Sequence, residues 1–252
     1  MKIQYASDLH LEFSENKTFL ELYPLQPIGD ILLLAGDIIP FDRKNKAKDF
    51  FSYVSDHYKM TYWIPGNHEY YHSDVTKRSG TFKEKIKDNV ILINNTAVIH
   101  ENVKFIFSTM WSNISPASQW IIEKGMSDFH VIRYNEYRFS ADHFNELHDE
   151  CLSFIKKETA NSHSGIKIIV THHVPTFLNY PEKFKGDALN QGFGVELFDF
   201  IATSDINYWI FGHHHYNAPE FKIGKTKMLT NQLGYVKYNE CLDFDNKRII
   251  EI

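Results

Sequence analysis

Short apolar runs predict most of the strands in this chain, and five of these runs end on a residue that can bind a metal ion. Each run is rich in β-branched or aromatic residues and is followed by turn residues, which is typical of a buried strand. The runs and the residues after them are Ile3 to Ser7 before Asp8, Ile31 to Gly36 before Asp37, Thr61 to Gly66 before Asn67, Ile166 to Thr171 before His172, and Asn207 to Gly212 before His213. In layered α/β folds, ligands collect beyond the carboxyl ends of strands, so we expect these residues to share one metal site.

The pattern in the first half alternates strands with helices. We predict strands at 2–6, 30–35 and 60–64 and helices near 43–58 and 74–87, the βαβ rhythm of a partly parallel sheet. From Val90 onward, short strands near 90–93, 97–100 and 103–109 with turn residues between them predict hairpins.

The second half begins with an irregular, aromatic stretch at 110–140. Ser140 then predicts the start of a helix that reaches to about Thr159. Further predictions are strand 166–171, a helix near 194–203, strand 207–211, a hairpin turning at Gly224-Lys225 and a last strand near 248–252. Because no repeat or linker interrupts the pattern, residues 1–252 are predicted to form a single α/β domain.

Composition excludes several classes of protein. With 43% hydrophobic and 23% charged residues, the chain resembles ordinary globular proteins. No run approaches the roughly 20 apolar residues of a membrane span, and Asp8 comes too early for a secretory signal. Only Cys151 and Cys241 are present, as in reducing compartments, so we expect a cytoplasmic protein without a membrane partner. A net charge of -5 disfavours coating of nucleic acid but leaves nucleotide substrates open.

The candidate ligands suit two ions better than one. In extended backbone, residues two apart share a face, so Asp8 and His10 are expected to reach one ion together, and His213 and His215 have the same spacing. Carboxylate, imidazole and amide ligands without thiolate favour Mn, Fe or Zn. The candidates are Asp8, His10, Asp37, Asn67, His172, His213 and His215. This set is too large for one tetrahedral ion.

The charge of such a centre indicates the substrate class. Two divalent ions bring about +4, two aspartates about -2, and a bridging hydroxide leaves the centre near +1. Anionic phosphate esters fit this centre better than neutral amides do. Two ions about 3.5–4 Å apart lower the pKa of bound water and stabilise the entering and leaving oxygens. We therefore expect hydrolysis of a phosphoester by attack of metal-bound hydroxide.

The chain resembles the calcineurin-like metallophosphoesterases in five ordered blocks. The blocks are Ser7-Asp8-Leu9-His10, Gly36-Asp37, Gly66-Asn67-His68-Glu69, Thr171-His172-His173 and Gly212-His213-His214-His215. Five blocks in order are far more specific than any one of them. The resemblance implies a four-layer αββα sandwich, with mixed sheets and a dinuclear metal site at the sheet rim.

The resemblance also implies a role for each position. Asp8, His10 and His215 would hold the first ion, and Asn67, His172 and His213 the second. Asp37 would bridge the two ions. His68 would be the catalytic residue that is not a ligand, stabilising charge or protonating the leaving oxygen.

Several positions leave alternatives open. Many protein phosphatases of the family carry an aspartate that orients the catalytic histidine, but this chain has Pro40 there, so protein phosphatase activity is less favoured and the partner of His68 is open. Either His172 or His173 could be the ligand, and we prefer His172 because it directly follows its apolar run. Glu69 is expected to support the ligands or to be a solvated charge, and His214 to face away from the ions.

The aromatic stretch 110–140 is expected to be mainly core. A second hypothesis makes part of it a wall over the metals, with Tyr70, Tyr71 and either Arg133 or Arg138 contacting substrate. Arg43 is a further candidate phosphate contact, although a solvated charge is the favoured interpretation there.

The favoured function is that of a dinuclear-metal-dependent phosphoesterase acting on phosphomonoesters or phosphodiesters. Its substrate would be a small phosphoester or nucleotide, with nucleic acid ends as an option. The alternative is a scaffold that keeps the fold but has lost efficient catalysis, which the intact ligand set and His68 disfavour. A repair nuclease ranks third because little chain follows His215 to form a capping domain.

Overall fold

Two six-stranded sheets form the centre of the computed structural model, which describes residues 1–252. The strands are β1 (Lys2–Ala6), β2 (Ile31–Ala35), β3 (Met60–Ile64), β4 (Phe82–Lys87), β5 (Val90–Asn94), β6 (Thr96–His100), β7 (Val103–Phe107), β8 (Arg133–Tyr134), β9 (Tyr137–Arg138), β10 (Ile166–Val170), β11 (Tyr208–Ile210), β12 (Phe221–Ile223), β13 (Thr226–Leu229) and β14 (Ile249–Glu251). The α-helices are α1 (Ser14–Leu22), α2 (Lys48–His57), α3 (Gln119–Gly125), α4 (Asp128–Val131), α5 (Ala141–Ala160), α6 (Asn190–Phe193) and α7 (Phe198–Thr203). Short 3-10 helices are Phe41–Ala47, His68–Tyr70, Val75–Lys77, Glu182–Phe184, Val236–Tyr238 and Glu240–Asp243.

Both sheets have a parallel centre and antiparallel edges. Their strand orders are β14-β1-β2-β3-β5-β4 and β12-β13-β11-β10-β7-β6. The four central strands of each sheet are parallel, and each edge strand is antiparallel to its neighbour. In each sheet, the carboxyl ends of the parallel strands therefore lie at one edge, where ligand sites form in α/β folds.

The apolar side chains of the sheets sort into an inner and two outer layers. A cluster of 17 buried residues, including Leu33 of β2 and Phe105 of β7, fills the space between the sheets. Leu32 and Leu34 point the other way and pack with Phe51 of α2, because successive strand residues face opposite sides. On the second sheet, Trp209 packs in a cluster with residues of α5 and α7. These layers confirm the predicted αββα sandwich.

The structure corrects one predicted element and adds several short ones, of which α1 is the longest. The predicted helix near 74–87 is wrong, because residues 82–87 form the edge strand β4, paired with β5. Its alternating half-buried and exposed residues have the two-residue period of a strand, and its lysines suit an exposed edge. Helix α1 was not predicted, because only two of its residues, Asn16 and Leu20, are buried and its apolar stripe is weak.

The other predicted elements agree closely with the structure. The hairpin turn at Gly224-Lys225 is confirmed by the pairing of β12 with β13. Trp111, Phe129 and Phe139 of the irregular aromatic stretch are buried and pack on Phe144 of α5. This part of the stretch is core. None of the helices combines the length and apolarity needed to cross a lipid bilayer.

Candidate metal centre

The strand-end residues meet where the two sheets are joined at one rim. The backbone of Ser7, after β1, forms a bridge with Gln232 of the segment after β13. The Asp8 N–H donates to the Gly36 carbonyl at 3.0 Å, and the Gly212 N–H donates to the His172 carbonyl at 2.9 Å. These hydrogen bonds tie the ends of neighbouring strands together, so distant parts of the sequence share one site.

Left-handed turns aim the side chains at this rim. The φ angles are 55° at Asp8, 46° at His10, 55° at Asp37, 79° at His213 and 47° at His215. Asp8 and His10 do come together, but not through extended backbone as expected, because β1 ends at Ala6 and both residues have positive φ angles. Such conformations cost about 1–3 kcal/mol each and cluster at functional sites, where the surroundings hold them in place.

Three glycines leave room for the candidate ligands. A Cβ atom would lie less than 3.0 Å from the His172 ring at Gly36, from the Asp37 carboxylate at Gly66, and from the Asp8 carboxylate at Gly212. Gly36 also has a φ of +89°, which other residues rarely adopt. Small residues at these turns are thus required by the close approach of the side chains.

A first group of donor atoms comes from Asp8, His10 and His215. These atoms lie within 4.8 Å of one another. The Nε2 atoms of His10 and His215 are 3.0 Å apart, and the Asp8 Oδ1 atom is 3.4 Å from His215 Nε2. The Asp8 carboxylate also accepts from the Ser7 hydroxyl at 2.5 Å, which fixes its orientation.

A second group comes from Asn67, His172 and His213. His172 Nε2 lies 3.1 Å from His213 Nδ1 and 3.2 Å from Asn67 Oδ1. The Asn67 amide nitrogen points the other way, toward the Tyr71 hydroxyl at 3.5 Å. The amide oxygen, which is the better metal ligand, therefore faces the group.

Asp37 lies between the two groups. Its Oδ2 atom is 3.4 Å from His172 Nε2 and 3.8 Å from His10 Nε2, and its Oδ1 atom accepts from the His68 N–H at 2.9 Å. Although burial opposes ionisation, the nearby His172 and His68 hold the pKa of Asp37 well below its usual range. One buried carboxylate thus faces both groups in its charged form.

This donor set fits metal ions. Each group contains a pair of imidazole nitrogens within 3.1 Å of each other, close enough for both to bind one ion. The set contains oxygen and nitrogen but no sulfur, which suits Mn, Fe or Zn. The residues present could hold one ion in each group, with Asp37 reaching both.

His173 is not part of either group. Both of its ring nitrogens are buried without a hydrogen-bond partner, and its ring packs between Trp111 and His213 at centroid distances of 5.2 Å and 4.3 Å. Burial lowers the pKa of His173 well below its usual value, so it stays neutral. Of the adjacent pair, His172 is the one that the structure brings to the centre.

Two carboxylates behind the histidines were not predicted as site residues. Glu12 Oε1 lies 3.1 Å from His10 Nδ1, and Glu240 Oε2 lies 2.7 Å from His215 Nδ1. The signal for Glu12 was present, because it continues the two-residue spacing of Asp8 and His10. No local pattern marks Glu240, which follows His215 by 25 residues.

His68 stands beside the two groups without joining either ligand set. Its Nδ1 atom is 3.1 Å from Glu12 Oε1, its Nε2 atom is 3.3 Å from the Tyr235 hydroxyl, and its ring stacks on Tyr71 at 4.0 Å. Burial lowers the pKa of His68, but the charges of Asp37 and Glu12 outweigh burial and raise it above its usual value. Glu12 therefore occupies the partner position that Pro40 leaves open.

Glu69 is fully buried, so its interpretation as a solvated charge is wrong. Its carboxylate accepts from the backbone N–H groups of Asp37, Ile38 and Gly66 at 2.9, 2.7 and 2.7 Å and from the Trp63 indole at 2.9 Å. Burial and the neighbouring Asp37 raise the pKa of Glu69 to about 8, whereas four N–H donors favour the ionised form. Glu69 holds the loops after β2 and β3 together.

A cleft of about 310 Å³ opens over the centre. The segment 125–128 of the aromatic stretch lines it together with Tyr71 and His68, whereas Arg133 and Arg138 line a different pocket. Neither arginine of the second hypothesis therefore lines this cleft. His214 also lines the cleft, but its ring nitrogen is held 3.0 Å from the Gln232 amide nitrogen and is no part of either group.

Known proteins resemble this chain in sequence or in fold. The calcineurin-like phosphoesterase profile matches residues 1–217. An uncharacterized protein of Acanthamoeba polyphaga mimivirus is 32% identical over 265 residues, covering 92% of this chain and 91% of that protein. The crystal structure of phosphopantetheinyl hydrolase (PptH) from Mycobacterium tuberculosis aligns with a TM-score of 0.72 at 13% identity, covering 99% of this chain and 95% of that chain. This second likeness concerns the fold alone.

The matched region contains every strand-end residue that meets at the rim. The profile covers well over half of the chain, and the donor set is one that divalent metals accept. Sequence, fold and site chemistry therefore agree that this chain belongs to the calcineurin-like phosphoesterase family, which supports metal-dependent hydrolysis of phosphate esters in general.

Proposed function

We propose that this chain is a dinuclear-metal-dependent phosphoesterase that hydrolyses phosphomonoesters or phosphodiesters. The observation that carries the proposal is the position of Asp37 Oδ2, 3.4 Å from His172 Nε2 and 3.8 Å from His10 Nε2. A carboxylate between two donor groups can bridge two ions. In this proposal Asp8, His10 and His215 hold the first ion, Asn67, His172 and His213 hold the second, and residues 1–252 act as one domain.

In this proposal, the metal ions and the protein side chains have separate roles at the phosphate. Two divalent ions, when bound, supply charge neutralisation and a more acidic water. His68 lines the cleft without joining either ligand set, and the nearby charges of Asp37 and Glu12 raise its pKa, so it is placed to give a proton to the leaving oxygen. Asp37 and Glu69 keep the two ligand loops in register through the backbone hydrogen bonds described above.

The metal and the substrate are proposed only as classes. Oxygen and nitrogen donors suit Mn, Fe or Zn, either as two divalent ions or as a mixed-valence pair, and Mn is the ion to assay first. The substrates are small phosphoesters, including nucleotides, with nucleic acid ends as a further class. The cytoplasmic location remains a prediction.

The test is hydrolysis of p-nitrophenyl phosphate and bis(p-nitrophenyl) phosphate with Mn, before and after chelation. We expect turnover that is lost on chelation, restored by Mn and strongly reduced in Asp37→Asn, whereas His68→Ala should slow an alkyl phosphate far more than these nitrophenyl esters. The matched controls are Asp56→Asn and His57→Ala, whose side chains are exposed on α2. If neither these esters nor other phosphoesters show metal-dependent turnover, the scaffold alternative replaces the enzyme.

A further inference from the structure

The cleft over the metal centre has apolar walls, and its basic side chains are all histidines. Met126, Leu189 and Phe193 contribute apolar surface to it, and no lysine or arginine lines it. Besides the candidate ligand Asp37, two carboxyl groups line the cleft, those of Asp128 and Glu240. Among the residues that line the cleft, positive charge is therefore confined to the metal centre and the histidines beside it. Lys183 lies over the Phe184 ring, outside this lining.

This distribution of charge constrains the leaving group of a substrate. A second phosphate on the leaving group would lose water without gaining a lysine or arginine partner, and it would approach two carboxyl groups. A flat, uncharged group would instead bury apolar surface against Leu189 and Phe193, which is favourable. We propose that this cleft is a leaving-group subsite for uncharged, flat groups, such as aryl groups or nucleosides, and that it disfavours leaving groups with a further phosphate.

This inference rests on the proposed phosphoesterase activity and is tested with the Mn-loaded full chain. We expect kcat/KM for 1-naphthyl phosphate and a nucleoside monophosphate to exceed that for a nucleoside diphosphate by about 10- to 100-fold. Equal or faster hydrolysis of the diphosphate overturns the subsite. Failure of all phosphoesters to react overturns the proposed activity itself, which is a different result.

A gain-of-function variant provides a second arm. Leu189→Lys adds a cation to the half-buried wall, so it should raise kcat/KM for the nucleoside diphosphate and lower it for 1-naphthyl phosphate. Leu22→Lys is the matched control, because Leu22 is 69% exposed and lies on α1, outside the cleft. Parallel changes for both substrates in Leu189→Lys would contradict the subsite.

A second inference concerns Glu12 and rests on contacts other than those of the cleft. Its Oε1 atom lies 3.1 Å from Nδ1 of His10 and 3.1 Å from Nδ1 of His68. The side chain is only 4% exposed, and its Oε2 atom has no hydrogen-bond partner. The two imidazoles are thus the polar contacts that hold this carboxylate in place.

A carboxylate at Nδ1 selects one form of an imidazole. It accepts a hydrogen bond, so each Nδ1 carries the proton and each Nε2 is directed away from Glu12. For His10 this directs Nε2 to His215, and for His68 it directs Nε2 toward Tyr235 and the cleft. We infer that Glu12 is a positioning residue that sets the orientation of His68 from the loop after β1, since the side chain of Pro40 offers no acceptor.

The dependence of the rate on the leaving group tests this role. If His68 protonates the leaving oxygen, Glu12→Gln should slow an alkyl phosphate by about 10²-fold but p-nitrophenyl phosphate far less, because only the alkoxide needs the proton. Glu12→Gln combined with His68→Ala should be no slower than His68→Ala alone. An equal loss for both substrates with reduced metal content would show a role through His10 and overturn the inference.

A measurement that does not depend on enzymatic activity completes the test of the role of Glu12. In the metal-free protein, ¹⁵N-histidine spectra should show His68 protonated at Nδ1, and Glu12→Gln should change that pattern. Glu15→Gln, exposed on α1, should leave it unchanged. An unaltered His68 signal in Glu12→Gln would overturn the positioning role even if the chain hydrolysed no phosphoester.

Discussion

The two candidate metal groups differ in the partners of the histidine ring nitrogens that face away from the centre. In the first group, carboxylates back both rings, with Glu12 3.1 Å from His10 Nδ1 and Glu240 2.7 Å from His215 Nδ1. In the second group, His172 Nδ1 donates to the Ala35 carbonyl at 2.9 Å. The His213 Nε2 atom has no partner, and its ring packs on Phe193 at a centroid distance of 4.7 Å.

This difference predicts that the two groups bind their ions with unequal affinity. A carboxylate behind an imidazole fixes its tautomer and makes the ring a more basic ligand, whereas a carbonyl or an apolar ring does so less. The carboxylates also add negative charge near the first ion. We therefore expect the first group to bind its ion more tightly and to tolerate a higher charge, such as that of trivalent iron, and the second ion to exchange more easily.

The largest expected effect comes from removing the carboxylate between the groups. Asp37→Asn should lower kcat by at least about 10³-fold, since two-ion charge stabilisation is worth several kcal/mol. Metal analysis should find about one ion per chain instead of two, and the retained ion should be that of the first group. Two retained ions, or loss of both, would show that the groups do not differ as proposed. Asp56→Asn is the control.

Stepwise removal of the ions should lower the thermal stability of the protein in two stages, one for each group. A ligand present at about 100 times its Kd stabilises a fold by about 2.7 kcal/mol, so each ion lost should lower Tm by about 5–10 °C. A chelator titration followed by calorimetry and metal analysis should show two steps, with the first ion lost coming from the second group. A single step would indicate that the two groups bind their ions with equal affinity.

Much of this arrangement was predictable, because the ligands follow apolar runs. Asp37 and Asn67 come directly after the runs that form β2 and β3, and the carboxyl ends of parallel strands must share an edge. The αββα layers followed from the family resemblance. The left-handed turns at Asp8 and His10 were not predictable from spacing, because their φ angles depend on hydrogen bonds to the loop after β2.

The residues behind the ligands were harder to predict for a different reason. Glu240 reaches His215 through the segment after β13, and Asn16 of the unpredicted α1 ties Gly234 of that segment in place through a 2.7 Å bond from its side-chain amide to the Gly234 carbonyl. Such contacts depend on tertiary packing and leave no period in the sequence. The difference between the two groups therefore appears only in the structure.

Removal of one backing carboxylate should weaken the first group selectively. Glu240→Gln keeps the size of the side chain but takes away the negative charge facing His215, and loss of such a partner typically costs about 10- to 100-fold in metal affinity. Competition with a chromogenic chelator should then show the order of release reversed or equalised. Glu251→Gln, exposed on β14, is the control. An unchanged affinity would mean that Glu240 does not tune the first ion.

The smallest expected effect lies behind His213. Phe193→Leu removes the ring that packs on this histidine, and aromatic pairs contribute about 0.5–1.5 kcal/mol beyond area, so the second ion should bind a few-fold to about tenfold more weakly. The first ion should be unaffected, because its histidines contact Glu12 and Glu240 instead. Phe198→Leu, 42% exposed on α7, is the control for a generic loss of a ring. If Phe193→Leu weakened both ions equally, His213 would be coupled to the first group through Asp37, and the two groups would have to be treated as one cooperative unit.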